Sequence, residues 1–237
     1  MQPEKGNLYL IPNTLGDGPP LEVLPLLVKK AVEEIDYYVV ENEKNARAFI
    51  KSIVPRKSQP DLHFNLINKF TDESEIPEML SPCHQGLDLG VISDAGCPGI
   101  ADPGSLLVTH AHQQQIRVVP LVGPSSILLA MMASGFNGQN FAFNGYLPID
   151  KRDRRKEIKR LESLSGEQQQ SQSFIETPYR NNQMFESIIS TLQPQTRLCV
   201  ACDITLPTEY IKTYTAEEWA KKKVDLNKRP TIFIIQK

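Results

Sequence analysis

Two buried strands in this chain end in residues too small to shield the backbone, and both ends could hold a small molecule. Leu89–Ile92 runs into Ser93-Asp94-Ala95-Gly96 and a loop carrying Pro98, Gly99, Pro103 and Gly104; Val118–Val122 ends in Gly123-Pro124-Ser125-Ser126. Glycine and serine at strand ends let the main chain approach a ligand closely, where bulky side chains would block it. Asp94, just past its strand, can accept hydrogen bonds from a ligand or be held by turn amides. Asp102 reads as structural, because Asp before Pro103 is a helix-start signal, with Asp as N-cap and Pro at the first helical position. Ser125 and Ser126 open a helix, where hydroxyls cap and unpaired N–H groups can bind. A third loop, Pro12-Asn13-Thr14-Leu15-Gly16-Asp17, follows another short strand. Its glycine suits a ligand or a plain strand-to-helix turn, and it lacks the G-x-G-x-x-G or Walker lysine of a nucleotide-phosphate loop.

A different chemistry is offered by Lys151–Arg160, KRDRRKEIKR, where seven residues are basic and two acidic. On a helix Arg152, Lys156, Lys159 and Arg160 share roughly one side. That face is either solvated, with Asp153–Lys156 and Glu157–Arg160 ion pairs, or a contact for phosphate, with Arg155 alongside. The four cysteines include Cys199-Val200-Ala201-Cys202, formally a metal or redox spacing. Leu198 and Val200 make that segment a strand, whose positions three apart face opposite ways, and Cys83 and Cys97 supply no second knuckle. Buried free thiols are expected, and no metal. His110 and His112 fall two apart on a helix and cannot converge.

These residues need elements to position them. Apolar runs at Asn7–Ile11, Tyr37–Val40, Leu62–Leu66, Leu89–Ile92 and Val118–Val122 read as strands. Helical spacing at Leu21–Val32, Ala46–Ile53 and Ser74–His84 lies between them. Strands separated by helices at this spacing imply βαβ units and a mostly parallel sheet. Beyond Gly123-Pro124, the expected junction, come a small-residue helix at Ser125–Ser134, a strand at Phe141–Gly145 and a charged helix at Asp150–Leu164. Gly166–Gln172, GEQQQSQ, reads as a polar surface loop. Strands at Ser173–Glu176, Arg197–Asp203, Glu209–Tyr214 and Thr231–Gln236, with helices at Asn182–Leu192 and Ala216–Lys222, make the second half strand-rich and mixed in direction. The expected fold class is α/β in two domains, 1–121 and 122–237.

A length of 237 residues, 40% hydrophobic and 23% charged, is ordinary for a globular chain with ample core. A net charge of −2 argues against nucleic-acid binding by bulk charge but leaves a local basic patch open. No apolar run reaches the ~20 residues of a membrane span, and MQPEKGN has no signal-peptide core, so a cytoplasmic location is expected.

SDAGCPGIADPG, followed by VVPLVGPSS and SGFNGQNFAFNGYLP, resembles the tetrapyrrole methylase superfamily, most closely its branch that methylates a ribose 2′-oxygen in 16S ribosomal RNA. GNLYLIPNTLGD, Val39-Val40-Glu41-Asn42 and Phe174–Arg180 follow in the same order as in that branch, so the likeness covers nearly the whole chain. The resemblance implies a two-domain fold with S-adenosylmethionine in the interdomain cleft, a homodimer, and a 16S RNA or small-subunit substrate. Carried over by position, the implied cofactor contacts are Pro12, Gly16, Ser93, Asp94, Gly96, Ile100, Ala101, Ser125 and Ser126. Displacement by a ribose hydroxyl needs a proton acceptor, for which Glu41, Asp94 and Glu176 are unranked candidates. Arg152, Arg155, Lys156, Lys159 and Arg180 are the candidate RNA contacts. The chain departs from the branch in two places: Asn13 and Asp17 replace Thr and Asn, and Glu41-Asn42-Glu43-Lys44 stands for E-D-T-R. A lysine does not replace the bidentate grip of an arginine on phosphate. That change, with a sequence ending at its last strand, keeps open a tetrapyrrole or other small-molecule substrate, and a cofactor-binding protein without turnover.

Overall fold

The computed structural model describes residues 4–237, which divide after Ser125 into two compact units, 4–125 and 126–237. In the first, β1 (Leu8–Ile11), β2 (Tyr37–Val40), β3 (His63–Leu66), β4 (Leu89–Ile92) and β5 (Val118–Pro120) form one sheet in the order β3-β2-β4-β1-β5. Every pairing in it is parallel. A parallel sheet is covered on both faces, which is why its strands read as unbroken apolar runs. Alternation still sorts the side chains: Ile11, Tyr38, Val40 and Ile92 join one core cluster, while Leu8, Val39, Leu89 and Val91 join the other. Gly90 lies under the first cluster, where a Cβ would come within 2.8 Å of Ile11 and 2.9 Å of the Tyr38 ring.

The helices of this unit are shorter than their apolar spacing suggests. Leu21–Val32 is divided at Pro25 into α1 (Pro20–Val23) and α2 (Leu26–Glu34). α3 (Glu43–Ile53) starts three residues earlier than expected because Asn42 caps it, accepting from the Asn45 amide. Ser74–His84 is a short 3-10 turn followed by α4 (Ile76–Met79) and α5 (Ser81–His84), each with a proline in its first turn. α6 (Gly104–Gln113) follows β4.

In the second unit α7 (Ser126–Ser134) precedes β6 (Phe141–Tyr146), α8 (Lys151–Gln168), β7 (Ser171–Ile175) and α9 (Asn181–Ile189). Then come β8 (Arg197–Cys202), β9 (Tyr210–Thr215), α10 (Ala216–Trp219) and β10 (Thr231–Gln236). The sheet order is β6-β7-β10-β8-β9, parallel between β6 and β7 and antiparallel elsewhere. Ile158, Leu161, Phe174, Phe185, Trp219 and Phe233 fill its core, with the Trp219 indole N–H donating to Leu198 O at 2.8 Å.

The polar surface loop expected at Gly166–Gln172 is not there. α8 continues to Gln168, and β7 begins at Ser171 as an interior strand with Ser171, Gln172 and Ser173 buried. Their polar groups are satisfied locally: Ser173 Oγ donates to Ala142 O, and the Gln172 amide oxygen accepts from Asn144. Among the described residues no helix is long and apolar enough to cross a membrane.

Candidate functional site

Parallel strands point their carboxyl ends the same way, so the loops after β1, β2 and β4 gather along one edge of the first sheet. Asn13 joins two of them. Its buried side-chain amide donates to Ser93 O (3.1 Å) and Asp94 O (3.2 Å), and its Oδ1 accepts from the Thr14 amide at 2.8 Å. The backbones add Asn13 N to Gly96 O at 2.9 Å and Gly96 N to Thr14 O at 3.3 Å. The two loops are therefore one body. They border a recess of about 420 Å³ lined by Thr14, Gly16, Asn45, Phe49, Asp94 and Ala95, among others.

The carboxylates at this edge differ in state. Asp94 is exposed, with Oδ1 accepting from Asn45 Nδ2 at 3.1 Å. The Asp94 amide donates to Glu41 Oε1 at 3.2 Å, which brings Glu41 beside it. Burial pushes the Glu41 carboxyl above its ordinary value, the Asp94 amide pulls it back in part, and the charges of Asp102 and Asp94 raise it again. Asp102 Oδ1 accepts from the Gly99 and Gly104 amides, both at 2.8 Å, while Oδ2 is buried and unpartnered among the described residues. Burial raises its pKa against those two amides. Its structural role is as expected, but the helix begins one residue late: Pro103 occupies the N-cap and Gly104 the first helical position.

Of the residues implied as cofactor contacts, Gly16 and Asp94 line this recess directly. Ser93 spends its hydroxyl inside its own turn, donating to Ala95 O and Gly96 O. Gly96 sits at φ 68°, where a Cβ would lie 3.2 Å from Leu15 and 3.5 Å from Pro124 O. Pro12 is buried and fills the space a Cβ on Gly123 would need, 2.2 Å away. Ala101, at φ 62°, borders a second recess of about 490 Å³ with Lys69, Asp102 and Ser105, and Ile100 is exposed nearby in sequence. A non-glycine residue held at positive φ marks a site that its surroundings over-determine. Ser125 closes the first unit and Ser126 opens α7 in the second.

The remaining candidates lie in the second unit. Glu176, just past β7, is buried; its Oε1 accepts from Thr177 N and Arg180 Nη2, both at 2.6 Å. Burial raises this carboxyl, but Arg180 and Thr177 outweigh it and hold it below the ordinary range. Glu176 and Arg180, expected separately as base and RNA contact, thus neutralise one another. Arg152, Arg155, Lys156 and Lys159 line one trough on α8. The ion pairs expected on that helix form, Lys156–Asp153 at 3.4 Å and Arg160–Glu157 at 2.6 Å. The cysteines are free; burial pushes the Cys83 and Cys199 thiols up to about 11, a range in which they are inert.

Asn45 and the clamping role of Asn13 escaped sequence reasoning. The signal for Asn45 was present, since Asn42 three residues earlier is a capping type, and recognising the cap puts Asn45 on the first turn at the sheet edge.

A parallel five-stranded unit followed by a mixed five-stranded unit is a fold that solved methyltransferase structures share. No family model matches the sequence. Among solved structures, the uroporphyrin-III C-methyltransferase of Thermus thermophilus complexed with S-adenyl homocysteine aligns over 98% of each chain, with a TM-score of 0.56 and 15% identity. Among sequence relatives, the ribosomal RNA small subunit methyltransferase I of Buchnera aphidicola (Schizaphis graminum) is 27% identical over 97% of this chain and 78% of its own length. That of Thermotoga maritima is 29% identical over 92% of this chain and 89% of its own.

Proposed function

We propose that the chain is an S-adenosylmethionine-dependent methyltransferase that modifies a ribose 2′-oxygen of 16S ribosomal RNA. One observation carries the cofactor assignment: Asn13 binds the β1 and β4 loops together around an open recess edged by Asp94 and Asn45. About 420 Å³ suits a small ligand, and the adjacent acidic and amide acceptors suit its ammonium and hydroxyl groups. Gly96, where an added Cβ would crowd Leu15, keeps the main chain open to it. The choice of ribosomal RNA over a small molecule rests on the names of the sequence relatives. Solved structures at 15% identity bear on the fold alone.

The bound cofactor supplies a methyl group on a sulfonium, an electrophile with its own leaving group. The chain's residues do the rest. The Asn13 clamp fixes the two loops, so that the recess is formed before ligand arrives. Asp94 and Gly96 contact the cofactor, with Pro12, Gly16, Ser93, Ile100, Ala101, Ser125 and Ser126 as the wider set. Glu41 takes the proton released by the ribose hydroxyl. It is the better base of the three candidates, because burial raises its proton affinity whereas Arg180 lowers that of Glu176. A cytoplasmic site of action and a homodimer belong to the same proposal, the dimer being tested by sedimentation.

The test is methyl transfer from labelled S-adenosylmethionine to small ribosomal subunits from a strain lacking this protein. Label in 16S RNA that disappears with Asp94→Asn, and loses its acid limb with Glu41→Gln, is the expected result. Cofactor binding by calorimetry without label in RNA would move the substrate to a small molecule, or leave a binding protein without turnover.

A further inference from the structure

The first half of α8 carries a feature that the cofactor site does not use. Lys151, Arg152, Arg155, Lys156 and Lys159 line a trough of about 710 Å³, closed on its other side by Ser190 and Thr191 after α9. Eight helical steps span ~12 Å, so the five cations form a stripe rather than a cup. Little negative charge offsets them. The Asp150 carboxylate is occupied as the helix cap, accepting from the Arg152 and Asp153 amides at 2.8 and 3.0 Å. Asp153 reaches only Lys156, and that at 3.4 Å. Lys151, Arg152, Arg155 and Lys159 have no carboxylate partner among the described residues.

Two buried groups point the same way. Arg154, on the same turns, is 3% exposed, and its guanidinium donates to Ser187 Oγ and Ile149 O with no carboxylate partner among the described residues. Its charge adds to the positive potential of this helix without a neighbouring carboxylate to offset it. Thr191, on the opposite lip, has its hydroxyl buried and unpartnered among the described residues. No aromatic ring lines the trough, so it offers charge and hydrogen bonds without a surface for stacking bases.

The geometry points to a sequence-independent track for the RNA sugar-phosphate backbone along α8, taking on the order of two or three phosphates. This rests on the ribosomal RNA reading and deepens it: the methyl acceptor is chosen elsewhere, and the trough holds the flanking strand. Lys159 and Thr191 also border an adjoining recess lined by Glu162 and Lys237, where the run of uncompensated cations ends.

The experiment compares RNA affinity as a function of salt for the full chain, using a 16S RNA fragment. Arg152→Gln/Arg155→Gln/Lys159→Gln removes three exposed cations of the trough; Lys30→Gln/Lys51→Gln/Lys223→Gln removes as many exposed cations elsewhere. The trough variant is expected to bind at least tenfold more weakly at low salt, its log–log salt slope falling by roughly 2–3, one step for each phosphate no longer neutralised. Cofactor titration should be unchanged in both, and the control should keep the wild-type slope. If wild type methylates small subunits but the two triple variants share one slope, the trough is overturned while the RNA reading stands. If wild type neither methylates small subunits nor binds RNA in a salt-dependent way, the reading itself falls and the trough goes with it.

Discussion

Replacing Asn13 should loosen the candidate site and the first unit together. Asn13→Ala removes two donated hydrogen bonds and two accepted ones, the Thr14 hydroxyl's being long at 3.5 Å, and strands Ser93 O in a buried position. A buried polar group left without a partner costs ~1–3 kcal/mol, while the half-buried Thr14 amide and the exposed Asp94 can turn to water at less cost. A total near 2–3 kcal/mol follows, or roughly 4–10 °C in the melting of a domain of this size. Asn13→Asp is the sharper probe. It keeps the shape but points a carboxylate at two carbonyl oxygens, with no donor left to offer them. Its pKa in the folded state must therefore rise, and the folded chain holds a proton that the unfolded chain releases above about pH 4. Stability then falls as pH rises through that window. The Asp variant should be less stable than the Ala variant at pH 7 and converge on it near pH 4. Urea unfolding at both pH values, with calorimetric cofactor titration, measures this. An Ala variant within about 0.5 kcal/mol of wild type, or an Asp variant no worse than it at pH 7, would refute the idea that one side chain holds the loops.

Three further outcomes are expected. Gly96→Ala should weaken cofactor binding about tenfold by calorimetry, because positive φ costs an L-residue ~1–2 kcal/mol and the new methyl crowds Leu15 at 3.2 Å. Asp102→Asn should be no less stable than wild type at pH 7, since it relieves a buried carboxylate whose raised pKa makes stability fall as pH rises, whereas Asp102→Ala should lose ~1 kcal/mol with its two amide bonds. Glu176 has a lowered pKa, so its stabilisation is complete above the unfolded carboxylate value and is lost as pH falls through the folded one. Arg180→Met should flatten the loss of urea midpoint between pH 6 and 3, and an unchanged slope would show that the pair does not act this way.

The parallel sheet was legible because burial on both faces writes each strand as an apolar run, and Leu89–Ile92 is placed to the residue. Composition failed where a buried strand is polar. Ser171, Gln172 and Ser173 look like a solvated loop, yet hydrogen bonds to Asn144 and Ala142 make them interior. Such satisfaction depends on a neighbouring strand that no local window contains. At the site, the small residues after β4 were readable as a place of close approach. The bonds from Asn13 to residues 80 positions away were not, and neither was the pairing that takes Glu176 and Arg180 out of separate service.

The place of β1 in its sheet also bears on how the chain is made. Among the described residues Leu8–Ile11 pairs with β4 and β5, where Leu8 meets Leu89 and Val118. This strand thus waits for partners that lie 81 and 110 positions further along the chain. At ~5–20 residues per second the nearer of them follows after roughly 4–16 s, and until then the apolar segment is unpaired. Pairings so distant along the chain also slow closure once it is complete. This first unit should therefore depend on chaperones during synthesis, and slowing translation beyond residue 12 should lengthen its exposure.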